Sequence, residues 1–161
     1  LRLPLWPSAS DAKREILATL PRADLVKVSE VELEFLFGTP DPSEGTRKVL
    51  EMGPRLAVAT LGAEGCYFRT RKAEGAVRGF EAAVVDTTGA GDGFVAGLLT
   101  RLLRADGLHP EDLDAGTLAE VCRYANAVGA LTTTRKGAIP GLPTAEEVDR
   151  FLEDADLTLP P

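Results

Sequence analysis

Val84-Val85-Asp86-Thr87-Thr88-Gly89-Ala90-Gly91-Asp92-Gly93-Phe94-Val95-Ala96-Gly97 reads as a strand, a glycine-rich turn and the start of a helix. Glycines at 89, 91 and 93 let the backbone take conformations closed to other residues and leave room for a ligand beside the main chain. The unpaired N–H groups of such a turn and of the first helical turn converge beyond the strand end. They make an anion site, which the helix dipole favours further. Two familiar phosphate loops are excluded: a Walker A loop needs Gly-Lys-Ser/Thr, and a dinucleotide loop needs a third glycine where position 94 is Phe. An acid, Asp92, stands where the lysine would be. A carboxylate beside bound phosphate is electrostatically costly unless it has a task. The natural task is to accept a proton from an attacking hydroxyl while neighbouring amides stabilise charge on the transferred phosphoryl group. The plainer alternative is a first-turn acid that only complements the helix dipole; the strand–loop–helix setting favours the base.

Outward from this loop, apolar runs and helical patterns alternate. Ser8-Ala9-Ser10-Asp11 has the form of a capping box, followed by Ile16, Leu17 and Leu20 at helical spacing and closed by Pro21. Leu25-Val26-Lys27-Val28 reads as a strand, 30–37 as a helix with acids in its first turn, and 43–52 as another helix. The nearly continuous apolar run 56–61 suits a strand covered on both faces. Gly62-Ala63-Glu64-Gly65 turns the chain, Cys66-Tyr67-Phe68 returns as a strand, and 71–75 makes an exposed turn. The spacing then predicts a strand over 82–86, helices over 94–103 and 118–131, and a last helix opened by the capping box Thr144-Ala145-Glu146-Glu147. Such alternation argues for an α/β fold with a largely parallel sheet. No internal repeat or linker divides the chain.

The 161 residues are about one domain long. With 18 Lys plus Arg against 25 Asp plus Glu, the net charge of −7 argues against nucleic acid as a partner. No apolar run approaches ~18 residues, so no membrane span is expected. Cys66 and Cys122 have no metal-ligand or redox spacing and no secretory signal ahead of them, which suits small buried hydrophobes kept reduced in the cytoplasm. The single histidine, His109, sits in the loop Gly107-Leu108-His109-Pro110 and has no assigned role. The chain opens Leu1-Arg2-Leu3-Pro4 and its only methionine is Met52, which suits a segment of a longer chain.

Asp86-Thr87-Thr88-Gly89-Ala90-Gly91-Asp92 resembles the second signature of the ribokinase-like (PfkB) carbohydrate kinases. Thr60-Leu61-Gly62-Ala63-Glu64-Gly65 resembles the family's strand-turn at the nucleotide, and Ala125-Asn126-Ala127 with Thr134-Arg135-Lys136-Gly137-Ala138 its C-terminal adenine and cation region. Leu1-Arg2-Leu3-Pro4-Leu5-Trp6-Pro7-Ser8 and Ala23-Asp24-Leu25-Val26-Lys27-Val28-Ser29-Glu30 are similar to fructokinases in particular.

The resemblance implies a ribokinase-like α/β fold with a mostly parallel sheet flanked by helices. It makes residues 1–161 the C-terminal part of one domain, carrying the nucleotide site and the base. It implies that Asp92 deprotonates a sugar hydroxyl and that the amides of Gly89, Ala90, Gly91 and Asp92 form the anion hole for the ATP γ-phosphoryl group. Thr60, Gly62, Gly65 and Gly91 match nucleotide-contacting positions, and Asn126 matches a residue beside the adenine. Glu32 matches the acid of an Asn-x-x-Glu element that orders Mg²⁺ and its waters; the Asn of that element is Ser29 here, too short for the same reach. Asp86, Thr88, Thr132, Arg135 and Gly137 align with a monovalent-cation site, used with potassium by some members, and Arg2 with the neighbourhood of the sugar. Thr60 and Gly62 as ordinary turn residues, Asn126 as a solvated helix residue and Glu32 as a first-turn acid all remain open.

The implied reaction is ATP-dependent phosphorylation of a sugar, fructose to fructose 6-phosphate first. 2-Keto-3-deoxygluconate, ribose or a nucleoside are the alternative acceptors, and a non-catalytic nucleotide-binding module is the rival outside catalysis. The family's chains extend further at the N-terminus, where they supply most sugar contacts and a lid. An apolar face left open by that missing part is expected to drive aggregation or a homodimer.

Overall fold

The computed structural model describes residues 2–105 and 109–157; Leu1 and the Gly107-Leu108 part of the histidine loop lie outside the described residues. Strands β1 (Leu25–Ser29) and β2 (Leu56–Thr60) lie parallel, Leu25 opposite Leu56 and Ser29 opposite Thr60. Helices α2 (Glu30–Phe37) and α3 (Pro42–Glu51) form the crossover that a parallel pair requires. β3 (Gly65–Arg69) and β4 (Glu74–Arg78) follow antiparallel, in the order β1-β2-β3-β4. The α/β class holds, but the sheet is mixed where a mostly parallel one was expected. The cause is the connections: the turns after β2 and β3 are too short for a crossover and can join only antiparallel neighbours.

Alternation along β2 sends Leu56 and Val58 to one face and Ala57 and Ala59 to the other, all fully buried. On the alanine face, Val26 and Val28 pack with Leu20, Leu33, Val49 and Leu50, which come from the chain after α1 (Ala9–Thr19) and from α2 and α3. On the opposite face, Val58, Cys66 and Phe68 meet α4 (Ala90–Arg104) through Phe94, Leu98 and Leu102, and α5 (Ala115–Thr132) through Leu118, Val121 and Cys122. Both cysteines are buried free thiols, and the neighbouring Cys66 side chain together with burial pushes the Cys122 thiol upward, which suits an inert core residue. The short helix α6 (Ala138–Gly141) leads to α7 (Ala145–Leu157), which lies on the outer side of α5 with Tyr124 and Val128 against Val148.

Capping chemistry places most boundaries where the residues put them. Ser8 accepts from the Asp11 N–H at 3.0 Å, and Thr144 and Glu147 exchange reciprocal bonds at 2.8 and 3.3 Å. Two expectations fail. The exposed turn assigned to 71–75 ends sooner, Thr70 N–H bonding Ala73 O at 2.7 Å, so β4 begins at Glu74. Residues 82–86 form no strand. The Val85 and Asp86 N–H groups both turn to the Thr133 carbonyl (2.8 and 3.1 Å), while Val84 and Val85 stand 61% and 65% exposed. A valine pair has high strand propensity, but propensity cannot supply the neighbouring strand that a ladder needs.

Candidate functional site

The C-terminal ends of the two parallel strands lie side by side, the place where open α/β sheets bind ligands. Ser29 closes β1 and caps α2: its hydroxyl accepts from Glu32 N–H (3.3 Å), while its own N–H and hydroxyl donate to Glu32 Oε2 (2.8 and 3.1 Å). Ser29 is thus spent on a local capping box, and Glu32 is a first-turn acid as the plainer reading held. It is also half-buried. Burial opposes its ionisation, while the Ser29 N–H and the charge of Lys27 favour the carboxylate.

Thr60 closes β2, its hydroxyl bonded to Val28 O at 3.3 Å. Gly62 follows with φ +58°, exposed and with open space where a side chain would be. Gly65, with φ +108°, is glycine for another reason: a β-carbon there would lie 2.1 Å from Val77 O. Asn126 on α5 is buried rather than solvated, and its Nδ2 donates to Val77 O (3.2 Å) and Arg78 O (3.1 Å). It pins α5 to the end of β4 that pairs with Gly65, leaving its carbonyl oxygen as the group able to face a ligand.

The glycine-rich loop ends in α4. Gly89, in the left-handed region at φ +85°, is the N-cap, and its carbonyl receives Gly93 N–H at 2.8 Å. Ala90 N–H turns back to Thr87 O at 3.2 Å, so this amide is not available for the expected anion hole. Among the described residues the amides of Gly91 and Asp92 have no such bond, and Asp92 is exposed in the first turn. Close packing aims this helix end: a β-carbon at Gly93 would meet Thr132 Oγ1 at 2.4 Å, and one at Gly97 would meet Val128 Cγ2 at 2.8 Å.

Lys27 was not singled out in the sequence. It lies on the α4 side of β1, and its Nζ stands 3.2 Å from where a β-carbon of Gly91 would be. The signal was present: it is the one charge in a five-residue strand.

Of the cation-site residues, Thr132 is fully buried; its hydroxyl donates to Val128 O (2.7 Å), and it also offers a carbonyl. That carbonyl and the one of Arg135 converge on Gly141, at 2.8 and 3.6 Å from its β-carbon position, a cradle that a side chain there would fill. Asp86 binds Thr88 N–H (2.9 Å) and Gly137 N–H (2.8 Å), and the hydrogen bonds from Thr88 and Gly137 hold its carboxyl below the ordinary value. Arg2 is exposed and has no ion pair with these groups among the described residues. No cluster of His, Cys, Asp and Glu suited to a metal occurs among the described residues, and no helix is long and apolar enough to cross a membrane.

Residues 1–145 match the family model described as pfkB family carbohydrate kinase. Fructokinase-2 of Solanum lycopersicum is 48% identical over 154 residues, covering 95% of this chain and 46% of the relative. Among solved structures, a Vibrio cholerae O395 fructokinase in its fructose-, ADP- and calcium-bound form superposes with a TM-score of 0.83 at 38% identity, over 94% of this chain and 48% of the other. A Salmonella enterica aminoimidazole riboside kinase, complexed with aminoimidazole riboside and an ATP analogue, does so at 0.80 and 35%, over 94% and 50%. The chain therefore spans about half the length of the relatives it matches. With a match over nine-tenths of its residues and a ribokinase-like fold shared at these scores, the chain belongs to the pfkB family of carbohydrate kinases.

Proposed function

We propose that this chain is the nucleotide-binding and base-carrying half of an ATP-dependent sugar kinase whose acceptor is fructose, phosphorylated to fructose 6-phosphate. The observation that carries the reading is the start of α4, where the Gly91 and Asp92 amides have no backbone partner among the described residues, Asp92 is exposed, and the Lys27 ammonium lies 3.2 Å from the β-carbon position of Gly91. In that arrangement the Gly91 and Asp92 amides take the terminal phosphoryl oxygens as charge develops on them, while the Asp92 carboxylate draws the proton from the attacking hydroxyl. Thr60, Gly62 and Asn126 flank the nucleotide. The half-buried Glu32 carboxyl suits the waters of a magnesium ion, which when bound would neutralise phosphate charge. The Thr132 and Arg135 carbonyls suit a monovalent cation such as potassium.

Fructose is favoured because the relatives matched at 48% identity are fructokinases. A nucleoside acceptor has the Salmonella likeness behind it. Fusing the chain behind the acceptor-binding half of a fructokinase relative and following ADP release over a sugar panel tests both. Fructose phosphorylation that falls by about 10²–10⁴ in Asp92→Asn, with ATP-analogue affinity kept, is the expected result. Undiminished turnover in that variant would remove Asp92 as the base. Analogue binding without turnover in any fusion would leave a binding module.

A further inference from the structure

The far end of α4 opens onto a cavity of about 270 Å³, lined by Arg101 and Arg104 of α4 and by Glu120, Arg123 and Tyr124 of α5. At about 1.5 Å of helix rise per residue, Arg101 and Arg104 stand about 14 and 18 Å along α4 from Asp92. None of these residues belongs to the glycine-rich loop or to the ends of β1 and β2.

Two of the three guanidiniums are held in place. Arg101 lies over the Tyr124 ring, its Cζ 4.1 Å from the centroid, and meets Asp149 at 3.5 Å. Arg123 lies over Phe80 at 5.4 Å and pairs with Asp156 at 2.6 Å. A carboxylate on one side still leaves each guanidinium several of its five N–H donors. The Arg104 side chain has no ion pair or hydrogen bond among the described residues. Tyr124 is only 4% exposed, yet its hydroxyl has no hydrogen-bond partner among the described residues either. A buried phenol normally has one, so this hydroxyl needs a partner from outside the chain. Complementing the helix dipole accounts for Arg101 and Arg104 in the last turn of α4. It accounts neither for Arg123 on the neighbouring helix nor for the open hydroxyl.

We propose that this cavity binds a phosphorylated sugar, at a site separate from the start of α4. The guanidiniums take the phosphate oxygens through paired, charge-assisted N–H bonds, and the Tyr124 hydroxyl adds a further donor. Glu120 is the one carboxylate among these lining residues, and it accepts from the hydroxyls that a sugar supplies. The volume lies just under the ~300–1,000 Å³ of sites for drug-sized ligands, which suits a hexose phosphate better than a nucleotide.

Isothermal titration of the 161-residue chain with fructose 6-phosphate, inorganic phosphate and fructose tests the site. Fructose 6-phosphate should bind saturably, inorganic phosphate about tenfold less tightly, and fructose without measurable heat. Arg104→Gln should cut fructose 6-phosphate affinity about tenfold, and Tyr124→Phe about threefold or more. Both variants should keep the wild-type AMP-PNP affinity and urea midpoint, since neither removes a bond within the fold. Absence of saturable fructose 6-phosphate binding would overturn the proposal, as would undiminished affinity in either variant. Equal affinity for inorganic phosphate would overturn the sugar phosphate assignment. Competition between AMP-PNP and fructose 6-phosphate would mean a single shared site and defeat the proposal as well.

Discussion

At Asp92 the same residue satisfies two physical requirements. A first-turn acid complements the positive end of α4, and an exposed carboxylate beside unspent amides can take a proton from an alcohol. Lys27 supplies the opposite charge. Replacing it by methionine keeps the aliphatic stem against the sheet and removes the ammonium. The expected outcome is a loss of about tenfold or more in AMP-PNP affinity with adenosine affinity held, and Lys27→Arg should recover most of it; titration of the three proteins checks this. Ser29 contributes differently, since its oxygen is engaged with Glu32. Ser29→Ala should cost about 1 kcal/mol of stability through the lost cap, read by urea unfolding, and change nucleotide affinity little.

Among the elements, α4 and α5 decide where the loop points, and glycines set their separation. Gly97 faces Val128 and the Ala125 Cα, 2.8 and 3.1 Å from its β-carbon position, so Gly97→Ala must push the helices apart. Gly129 has its nearest neighbour, Ala90 O, at 3.4 Å, an ordinary contact. Gly97→Ala is therefore expected to destabilise by about 1–3 kcal/mol. Gly129→Ala should be neutral or stabilise by up to about 1 kcal/mol, since it removes a flexible residue from a helix interior. Urea unfolding of the pair checks the opposite signs. At the other end of the unit, Arg135 ties the 133–138 loop to Glu147 in α7. The Arg135 guanidinium, with the Thr144 N–H, holds the Glu147 carboxyl down to about 2. The folded form then binds the proton less readily than the unfolded chain. This tie's stability is present above the unfolded value of 4.5 and is lost as pH falls toward about 2. An NMR titration of Glu147 should give that low midpoint, and Arg135→Gln should move it back up.

The whole chain is a three-layer sandwich, with helices on both faces of its sheet. Val84, Val85 and Ile139 remain on its surface, Ile139 83% exposed, around the loops that lead to α4. The relatives it matches are about twice as long. The 161-residue chain should accordingly bind a hydrophobic dye and associate with rising concentration, and Val85→Ser with Ile139→Ser should reduce both. Light scattering across a dilution series checks this. A dye-free monomer at every concentration would mean that these side chains form no common patch.

Local chemistry determined a large part of this protein. Apolar alternation and caps such as Ser8, Ser29 and Thr144 act within a few residues, so α1, α2, α7, β1 and β2 are legible without reference to distant contacts. The glycine-rich loop and its acid were legible for the same reason: a turn that exposes amides requires those residues at that spacing. Tertiary structure alone decided what depends on partners distant in sequence. Residues 82–86 carry strand propensity but find Thr133 instead of a neighbouring strand, and β4 exists because β3 is there to receive it. Asn126 is turned inward by the carbonyls of Val77 and Arg78, and Lys27 gains its meaning only when the start of α4 is brought beside it. Propensity is written residue by residue, but hydrogen-bond partners and close approaches belong to pairs, and the fold alone selects the pairs.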